Sequence, residues 1–256
     1  MGAGAFIFVK QGVFTVREII EGDIEMLDFS NYDILTFDCY GTLIDWEAGI
    51  LSVLKPMLSR HGEALADSEI LEQYGDYEAA AERHYQSYEE VLRSVARAFG
   101  THLSFEPTAA ELDALARSIS QWQPWPDTVR ALHKLRSRYQ LAIISNIDDH
   151  FFSATLPRLQ TDFQSVTTAQ QARCYKPGMA IFKLALERVK VPPHRVLHVG
   201  QSIFHDVLPA QALGLSTVWI NRPSRRNGVG AVKRAEGKPD LELPDLQSLA
   251  ALAVGR

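Results

Sequence analysis

Side chains able to do nucleophilic or acid–base chemistry follow four apolar, strand-like runs of the sequence. They are a carboxylate, a hydroxyl beside an amide, a cation and a second carboxylate, namely Asp38, Ser145 with Asn146, Lys176, and Asp206. In an open parallel sheet, ligands bind beyond the carboxyl ends of the strands, so we expect these groups to meet at one edge. A carboxylate nucleophile, hydrogen-bond donors and a cation are the parts of a hydrolytic site that uses covalent catalysis.

Each of these groups also has a purely structural interpretation. A helix cap, a surface position at a helix entry, or an anion at a helix start would account for some of them. The residues so explained are Ser145–Asn146, Lys176–Pro177 and Asp206, while Asp38 could be a turn residue before Gly41. The combination is much more specific than any single member.

The elements that would position these groups alternate between strands and helices. Five short apolar runs rich in β-branched residues predict strands at Ile34–Phe37, Leu141–Ile144, Ser165–Thr168, Val196–Val199 and Thr217–Ile220. Amphipathic stretches between the later runs predict helices at Thr128–Arg138, Met179–Val189 and Phe204–Leu213. This alternation indicates an α/β fold with a parallel, doubly wound sheet.

A long insertion separates the first two predicted strands. Roughly 100 residues lie between them, far more than the dozen or so that a crossover needs. Apolar residues at helical spacing predict helices at Glu47–His61, Ser68–Tyr74, Tyr77–Phe99 and Ala109–Ser120. We therefore expect a helical cap at residues 48–124 on a core of residues 1–47 and 125–256. The segment FIFVKQGVFTV near the start is either an extra hairpin or an ordered arm.

Composition limits the partners of the chain. Its 256 residues are 46% hydrophobic and 22% charged, as in ordinary globular proteins. A formal net charge of −5 argues against a nucleic-acid partner, because binding to phosphates requires clustered Lys and Arg. The one basic cluster, Arg222 with Arg225 and Arg226, lies in a Pro/Gly-containing stretch, and we interpret it as a solvated loop.

The cysteines and the N-terminal residues bear on localisation. Only Cys39 and Cys174 are present, too few for a disulfide framework, so a reducing cytoplasm is the expected location. Residues 1–9 are apolar but too short for a membrane helix, so no membrane association is expected.

The motifs together resemble the haloacid dehalogenase superfamily, and more closely its 2-haloacid dehalogenase branch. The resemblance extends from Ile34 to Asn221. It rests on FDCYGTLID at residues 37–45, LAIISN at 141–146, YKP at 175–177, HVG at 198–200 with Asp206, and TVWINR at 217–222. It implies a Rossmann-like core with an inserted helical cap, and a covalent ester formed on Asp38.

Two departures from the phosphatases of this superfamily bear on the bond that is cleaved. Phosphatases typically have an Asp two residues after the nucleophile, which protonates the leaving alkoxide, and another Asp after the glycine of the fourth motif, which binds magnesium. This chain has Tyr40 and Gln201 at those positions. A halide leaves without a proton, whereas a phosphate dianion requires a cation to offset its repulsion of a carboxylate. We therefore expect a metal-independent dehalogenase of short 2-haloalkanoic acids, with no cofactor.

The resemblance also implies roles for the remaining residues. Lys176 would hold Asp38 ionised, and Asp206 would orient Lys176 or the hydrolytic water. Substrate or nucleophile contacts are expected from Thr42, Tyr40, Ser145, Asn146 and Ser202. Trp46, Trp125 and His205 are further candidates for the pocket wall, and Arg83 and Arg93 are candidates for the cap arginine that commonly receives halide in this branch.

Other functions stay open at this point. A Mg²⁺-dependent phosphatase acting on a small phosphomonoester is one alternative, and a catalytically silent binding or regulatory protein is another. The expected partner is a small halogenated carboxylic acid. The sequence leaves open whether the chain forms a homodimer.

Overall fold

The computed structural model describes residues 27–222, 230–233 and 235–255, together with the backbone of residues 6–9 and 12–15. These residues form an α/β fold built on one eight-stranded sheet. The strands in chain order are β1 (Phe6–Val9), β2 (Gly12–Thr15), β3 (Ile34–Phe37), β4 (Gln140–Ser145), β5 (Ser165–Thr168), β6 (Val196–Gly200), β7 (Ser216–Ile220) and β8 (Leu241–Leu243).

The sheet order is β2-β1-β8-β7-β6-β3-β4-β5. The six strands from β8 to β5 are parallel, while β1 pairs antiparallel with β2 and with β8. The predicted parallel sheet is confirmed, and all five predicted strands are present. Of the two options for the start of the chain, the backbone forms the hairpin. The sequence did not reveal β8, whose three residues are too few for a clear pattern.

Strand β3 lies near the middle of the sheet, between β4 and β6. Its apolar residues Ile34, Leu35 and Phe37 are completely buried. Burial on both faces is typical of parallel sheets that are covered by helices on each side. The chain that leaves β3 therefore emerges at the centre of the carboxyl edge, where a ligand site is expected.

The helices after the insertion support this sheet. They are α6 (Thr128–Arg136), α7 (Asp149–Leu159), α8 (Ala169–Ala172), α9 (Met179–Val189), α10 (Leu208–Ala212) and α11 (Leu246–Val254). The predicted helix at 204–213 begins instead as a π-helical turn, Ile203–Val207, which continues into α10. Ser202 caps this turn by accepting a hydrogen bond from the backbone N–H of His205.

The segment between β3 and β4 is helical, as predicted. It contains α1 (Trp46–Arg60), α2 (Asp67–Ala81), α3 (Tyr88–Leu103), α4 (Ala109–Leu112) and α5 (Ala114–Ser118), followed by a 3-10 turn at Ile119–Gln121. Apolar side chains of these helices, including Leu54, Ile70, Leu71 and Phe99, are fully or almost fully buried. We call residues 46–121 the helical insertion.

The predicted helix Tyr77–Phe99 is wrong as a continuous element. Helix α2 ends at Ala81 and α3 begins at Tyr88. Ser87 sets the new start, because its side chain accepts the backbone N–H of Glu90. Apolar residues on both sides of the break keep helical spacing, so periodicity alone does not reveal it.

The helical insertion is hydrogen-bonded to the carboxyl edge of the sheet. The hydroxyl of Tyr175 donates to the carbonyl of Gln86 at 3.0 Å. The backbone N–H of Glu89 donates to Oδ2 of Asp148 at 3.2 Å. These contacts place the α2–α3 connection directly over the strand ends.

The environment of Arg222 differs from the solvated basic loop expected from the sequence. Its guanidinium donates to Oδ1 of Asp127 at 2.7 Å and to the carbonyl of Thr42 at 3.0 Å. It also lies 5.0 Å above the ring of Trp125, and only 7% of its side chain is exposed. The loop interpretation is wrong for Arg222 because its anionic partner is distant in sequence. Arg225 and Arg226 lie outside the described residues.

No helix in the described part of the chain has both the length and the apolar character needed to cross a membrane.

Candidate active site

The loop after β3 holds Asp38 at the carboxyl edge of the sheet. The backbone N–H of Asp38 donates to the carbonyl of Val199 at 3.0 Å, which continues the pairing of β3 with β6. Gly41 follows with a φ of +102°, a conformation that a side chain disfavours. A Cβ at Gly41 would also lie 2.7 Å from Oε1 of Gln201. Both constraints explain the glycine in this turn.

Lys176 joins the two carboxylates that follow β3 and β6. Its Nζ donates to Oδ1 of Asp38 at 2.8 Å and to Oδ1 of Asp206 at 2.7 Å. A third hydrogen bond, of 3.0 Å, goes to the carbonyl of Ile144. Only 2% of Lys176 is exposed, so its ammonium group depends on these three oxygens in place of water.

The other oxygens of both carboxylates are also occupied. Thr42 donates its hydroxyl to Oδ2 of Asp38 at 2.7 Å. The backbone N–H of Ser202 donates to Oδ2 of Asp206 at 3.1 Å. His198 lies 3.4 Å from Oδ1 of Asp206 through Nε2. Asp206 therefore has more hydrogen-bonding partners than Asp38.

This arrangement separates the pKa values of the three groups. Burial raises the pKa of Asp38, Lys176 opposes that shift, and the charge of Asp206 adds to it. For Asp206, Lys176 and His198 overcome the cost of burial and hold its pKa well below the ordinary range. The two carboxylates likewise overcome burial and raise the pKa of Lys176, which keeps it protonated. The site is a buried cation between two carboxyl groups of different basicity.

Ser145, the last residue of β4, and Asn146, which follows it, differ in whether their side chains are already hydrogen-bonded. Asn146 accepts the backbone N–H of Lys176 at 2.7 Å and donates to its carbonyl at 3.2 Å, so its amide fixes the lysine backbone. Ser145 is 1% exposed, and its hydroxyl has no hydrogen-bond partner in the described part of the protein. Ser145 is therefore the better placed of the two to contact a ligand.

Two further predicted residues have hydroxyl groups that are already engaged. The Tyr40 hydroxyl is hydrogen-bonded to the hydroxyl of Thr155 at 2.8 Å. The Ser202 hydroxyl accepts the backbone N–H of His205 at 3.0 Å. Burial also raises the pKa of Tyr40 well above 10, so its phenol stays protonated near neutral pH.

One cleft brings the predicted residues together with side chains of the helical insertion. Its empty volume, including the open mouth, is about 510 Å³. The sheet side of the wall includes Asp38, Tyr40, Ser145, Asn146, Lys176, Gln201, Ser202, His205 and Asp206. Thr42 lies behind Asp38, and Trp125 donates to the carbonyl of Gly41 and stacks with Arg222.

The helical insertion adds residues to this cleft that the sequence reasoning missed. Trp46, expected as a wall residue, is joined there by Glu78, Glu82 and Tyr88. Glu78 and Glu82 are four residues apart at the end of α2, which places them on one face. This spacing was visible in the sequence, but the predicted continuous helix hid the point at which the chain turns over the site.

Neither arginine proposed for halide lies in the described wall of this cleft. Arg93 is paired with Asp113 at 2.8 Å and with Glu89 at 2.9 Å. Arg83 is exposed and borders neighbouring surface clefts. In the described residues, the insertion therefore presents carboxyl and aromatic groups to the site, and no arginine.

The residues present do not fit a magnesium site. A magnesium ion at this edge of the sheet would need oxygen atoms of Asp38 and Asp206 as ligands, but the Oδ1 atoms of both are bound by the ammonium group of Lys176. The position at which a further carboxylate ligand would be required is Gln201. Mg²⁺ needs several oxygen ligands in near-octahedral geometry, which this set of side chains does not supply.

Comparisons with known proteins agree with the fold and with the motifs. A family profile of haloacid dehalogenase-like hydrolases matches residues 32–214. (S)-2-haloacid dehalogenase 4A of Burkholderia cepacia is 30% identical over 200 residues, which cover 73% of this chain and 81% of that protein. (S)-2-haloacid dehalogenase of Pseudomonas fluorescens is 24% identical over 207 residues, covering 79% and 88% respectively.

A similar fold is present in the solved structure of L-2-haloacid dehalogenase from Xanthobacter autotrophicus. The TM-score is 0.70 at 22% sequence identity, covering 86% of this chain and 98% of that one.

Proposed function

Because the chain belongs to the haloacid dehalogenase-like hydrolase family, we propose that it hydrolyses the carbon–halogen bond of short 2-haloalkanoic acids through an ester on Asp38, without a metal ion. The observation that carries this proposal is the contact between Asp38 and the buried ammonium group of Lys176. A cation at this distance favours the ionised carboxyl group at a position where burial raises its pKa.

In the first step, a carboxylate oxygen of Asp38 attacks C2 of the substrate. The new C–O bond forms as the C–halogen bond breaks, and the halide leaves with the bonding electron pair. Displacement at a saturated carbon requires a desolvated nucleophile held close to and in line with the leaving group. Asp38 is 7% exposed, and Thr42 and Lys176 fix its two oxygens.

In the second step, water attacks the carbonyl carbon of the Asp38 ester. The bond between that carbon and the substrate oxygen breaks, which releases the 2-hydroxy acid and restores the carboxylate. One proton from water is released to solvent in the overall reaction. Asp206 contributes by holding Lys176 at 2.7 Å, so that the ammonium group stays beside the ester carbonyl.

The substrate's own carboxylate requires hydrogen-bond donors on the sheet side of the cleft. The free hydroxyl of Ser145 is one such donor. Tyr40 supports halide as the leaving group, because its phenol is engaged with Thr155 and its raised pKa makes it a poor acid for an alkoxide. A halide ion does not need that proton.

We also propose that residues 48–124 act as a cap over a core formed by residues 1–47 and 125–256. The α2–α3 connection over the strand ends supports this division. Cys39 and Cys174 are free thiols, which supports a reducing compartment such as the cytoplasm. Whether the active form is a monomer or a homodimer is measurable by sedimentation.

One assay distinguishes this function from the phosphatase alternative. Purified protein is given 2-chloropropionate and, separately, a panel of small phosphomonoesters, each with EDTA and with Mg²⁺. We expect chloride release that EDTA does not change and no phosphate release. Phosphate release that depends on Mg²⁺, without chloride release, would refute the proposal.

A further inference from the structure

The side of the cleft facing away from the sheet carries two carboxyl groups. Glu78 and Glu82 line it from the end of α2, opposite Asp38 and Lys176. Glu78 is 9% exposed, and its Oε1 accepts hydrogen bonds from Tyr88 at 2.6 Å and from Tyr74 at 3.0 Å. These phenols donate hydrogen bonds to the carboxyl group but carry no positive charge.

Several other buried or largely buried carboxylates among the described residues are paired with cations, although the buried Asp148 is bound by a backbone N–H instead. Asp206 is paired with Lys176, Glu111 with Arg60, and Asp127 with Arg222. In contrast, neither Glu78 nor Glu82 has an ion pair with any described residue. Burial raises the pKa of Glu78 to about 7. Burial together with the charge of Glu78 raises the pKa of Glu82, and the more distant charge of Lys176 only partly opposes that shift. A buried carboxyl group without a counter-ion is stabilised when a ligand supplies one.

The free hydroxyl of Ser145 is a second group in this cleft that is available to a ligand. Ser145 lines the same cleft and is almost fully buried, yet its oxygen has no partner among the described residues. Buried hydroxyl groups are nearly always hydrogen-bonded, so a bound ligand is the simplest partner for it. Ser145 is on the sheet side of the cleft, as is the nucleophile.

Aromatic rings lie beside the two glutamates. Trp46 and Tyr88 line the cleft together with Glu78 and Glu82, and Tyr40 completes the wall. Faces of Trp and Tyr attract organic cations, and carboxylates add charge and hydrogen-bond acceptors. An alkylammonium group satisfies both kinds of wall, whereas a carboxylate is repelled by the glutamates and an uncharged alkyl chain leaves them without a counter-ion.

We infer that the substrate carries a protonated amine on the end that faces Glu82 and Glu78. The inference rests on the proposed function and specifies its substrate class as short 2-haloacids with an amino group beyond C2. The substrate's carboxylate then contacts the donors of the sheet edge, and its ammonium group contacts the helical insertion. The bond changes at Asp38 are those given above.

The test compares two substrates of nearly equal shape, 3-amino-2-chloropropionate and 2-chlorobutyrate, in which an ammonium group replaces a methyl group. The wild type is compared with Glu82→Gln and with Asp76→Asn. Asp76 is an exposed carboxylate on the same helix, outside the described wall of the cleft, so its variant controls for loss of charge alone. Thermal unfolding of each variant verifies folding.

We expect kcat/KM for the amine to exceed that for the alkyl substrate at least about tenfold in the wild type and in Asp76→Asn. In Glu82→Gln this ratio should fall most of the way to one. Equal kcat/KM values in the wild type, or an unchanged ratio in Glu82→Gln, would overturn the inference.

A binding measurement separates failure of this inference from failure of the proposed function. Calorimetry compares the wild-type affinity for 3-amino-2-hydroxypropionate and for 2-hydroxybutyrate, which requires no turnover. Tighter binding of the amine, lost in Glu82→Gln, supports the inference even if no chloride is released from any substrate. Equal affinities refute it even if 2-chlorobutyrate is dehalogenated.

Discussion

The Nζ atom of Lys176 lies 2.8 Å from Oδ1 of Asp38, and both side chains are buried. This ion pair joins residues from different strand ends, 138 positions apart in sequence. It combines two effects, since the ammonium group holds the nucleophile ionised and also uses an oxygen that a metal ion would need.

Replacing Lys176 with Met should reduce stability as well as activity. The change leaves Asp38 and Asp206 buried without their cation, and breaking a buried ion pair in this way typically costs about 3–5 kcal/mol. Chemical denaturation at pH 7 measures the free energy of unfolding. The loss should shrink at pH 4, where the two carboxyl groups can take up protons.

Arg195→Met is a control for the loss of a cation. Arg195 pairs with Asp33, but their side chains are 39% and 46% exposed. An exposed pair contributes at most about 1 kcal/mol. Similar losses in the two variants would mean that Lys176 is not held as described.

Arg222→Met should destabilise the protein although it lies outside the cleft. The variant removes the partner of Asp127 and the hydrogen bond to the carbonyl of Thr42. We expect a loss of about 3 kcal/mol, since the pair is largely buried. Arg136→Met, which affects a pair with side chains 49% and 85% exposed, should cost less than about 1 kcal/mol. A neutral Arg222→Met variant would restore the solvated-loop interpretation.

The pH dependence of turnover should follow the carboxyl group of Asp38. Only the ionised form attacks, so kcat/KM should fall as the pH drops through the pKa of Asp38. Burial and the charge of Asp206 raise this pKa above its usual 3.8, although Lys176 opposes the shift. The acid limb should therefore have its midpoint above 3.8. The raised pKa of Lys176 predicts no loss of activity from its deprotonation below pH 10.

Glu78 and Glu82 titrate in the same cleft, so the acid limb is also measured in Glu82→Gln with 2-chlorobutyrate. A midpoint that stays in place excludes Glu82 as the source of the limb. A midpoint at or below 3.8 in the folded wild type would contradict the predicted shift.

Much of the site was predictable because strand ends converge in a parallel sheet. Asp38, Lys176 and Asp206 follow different strands, and the strand-end rule was sufficient to bring them together. The rule does not report which hydroxyl or amide stays free. Asn146 and Ser145 were both predicted to contact the substrate. The amide of Asn146 is instead hydrogen-bonded to the backbone of Lys176, a contact that depends on how the chain folds there.

The features that the sequence did not reveal depend on long-range contacts or on short breaks. The partner of Arg222 lies 95 positions away, so local composition gave the wrong environment. The end of α2 near Glu82 is hidden because apolar spacing continues into α3. Both errors concern the surroundings of the site, since helical periodicity and composition describe neighbours in sequence only.

The covalent role of Asp38 is tested most directly by a single turnover in ¹⁸O-labelled water with enzyme in excess over 2-chloropropionate. Mass spectrometry then reads the oxygen at C2 of the product and the label in the peptide that contains Asp38. Because water attacks the carbonyl carbon of the ester, we expect unlabelled 2-hydroxypropionate and one ¹⁸O in Asp38. Labelled product with unlabelled Asp38 would show that water attacks the substrate directly, and would contradict the account.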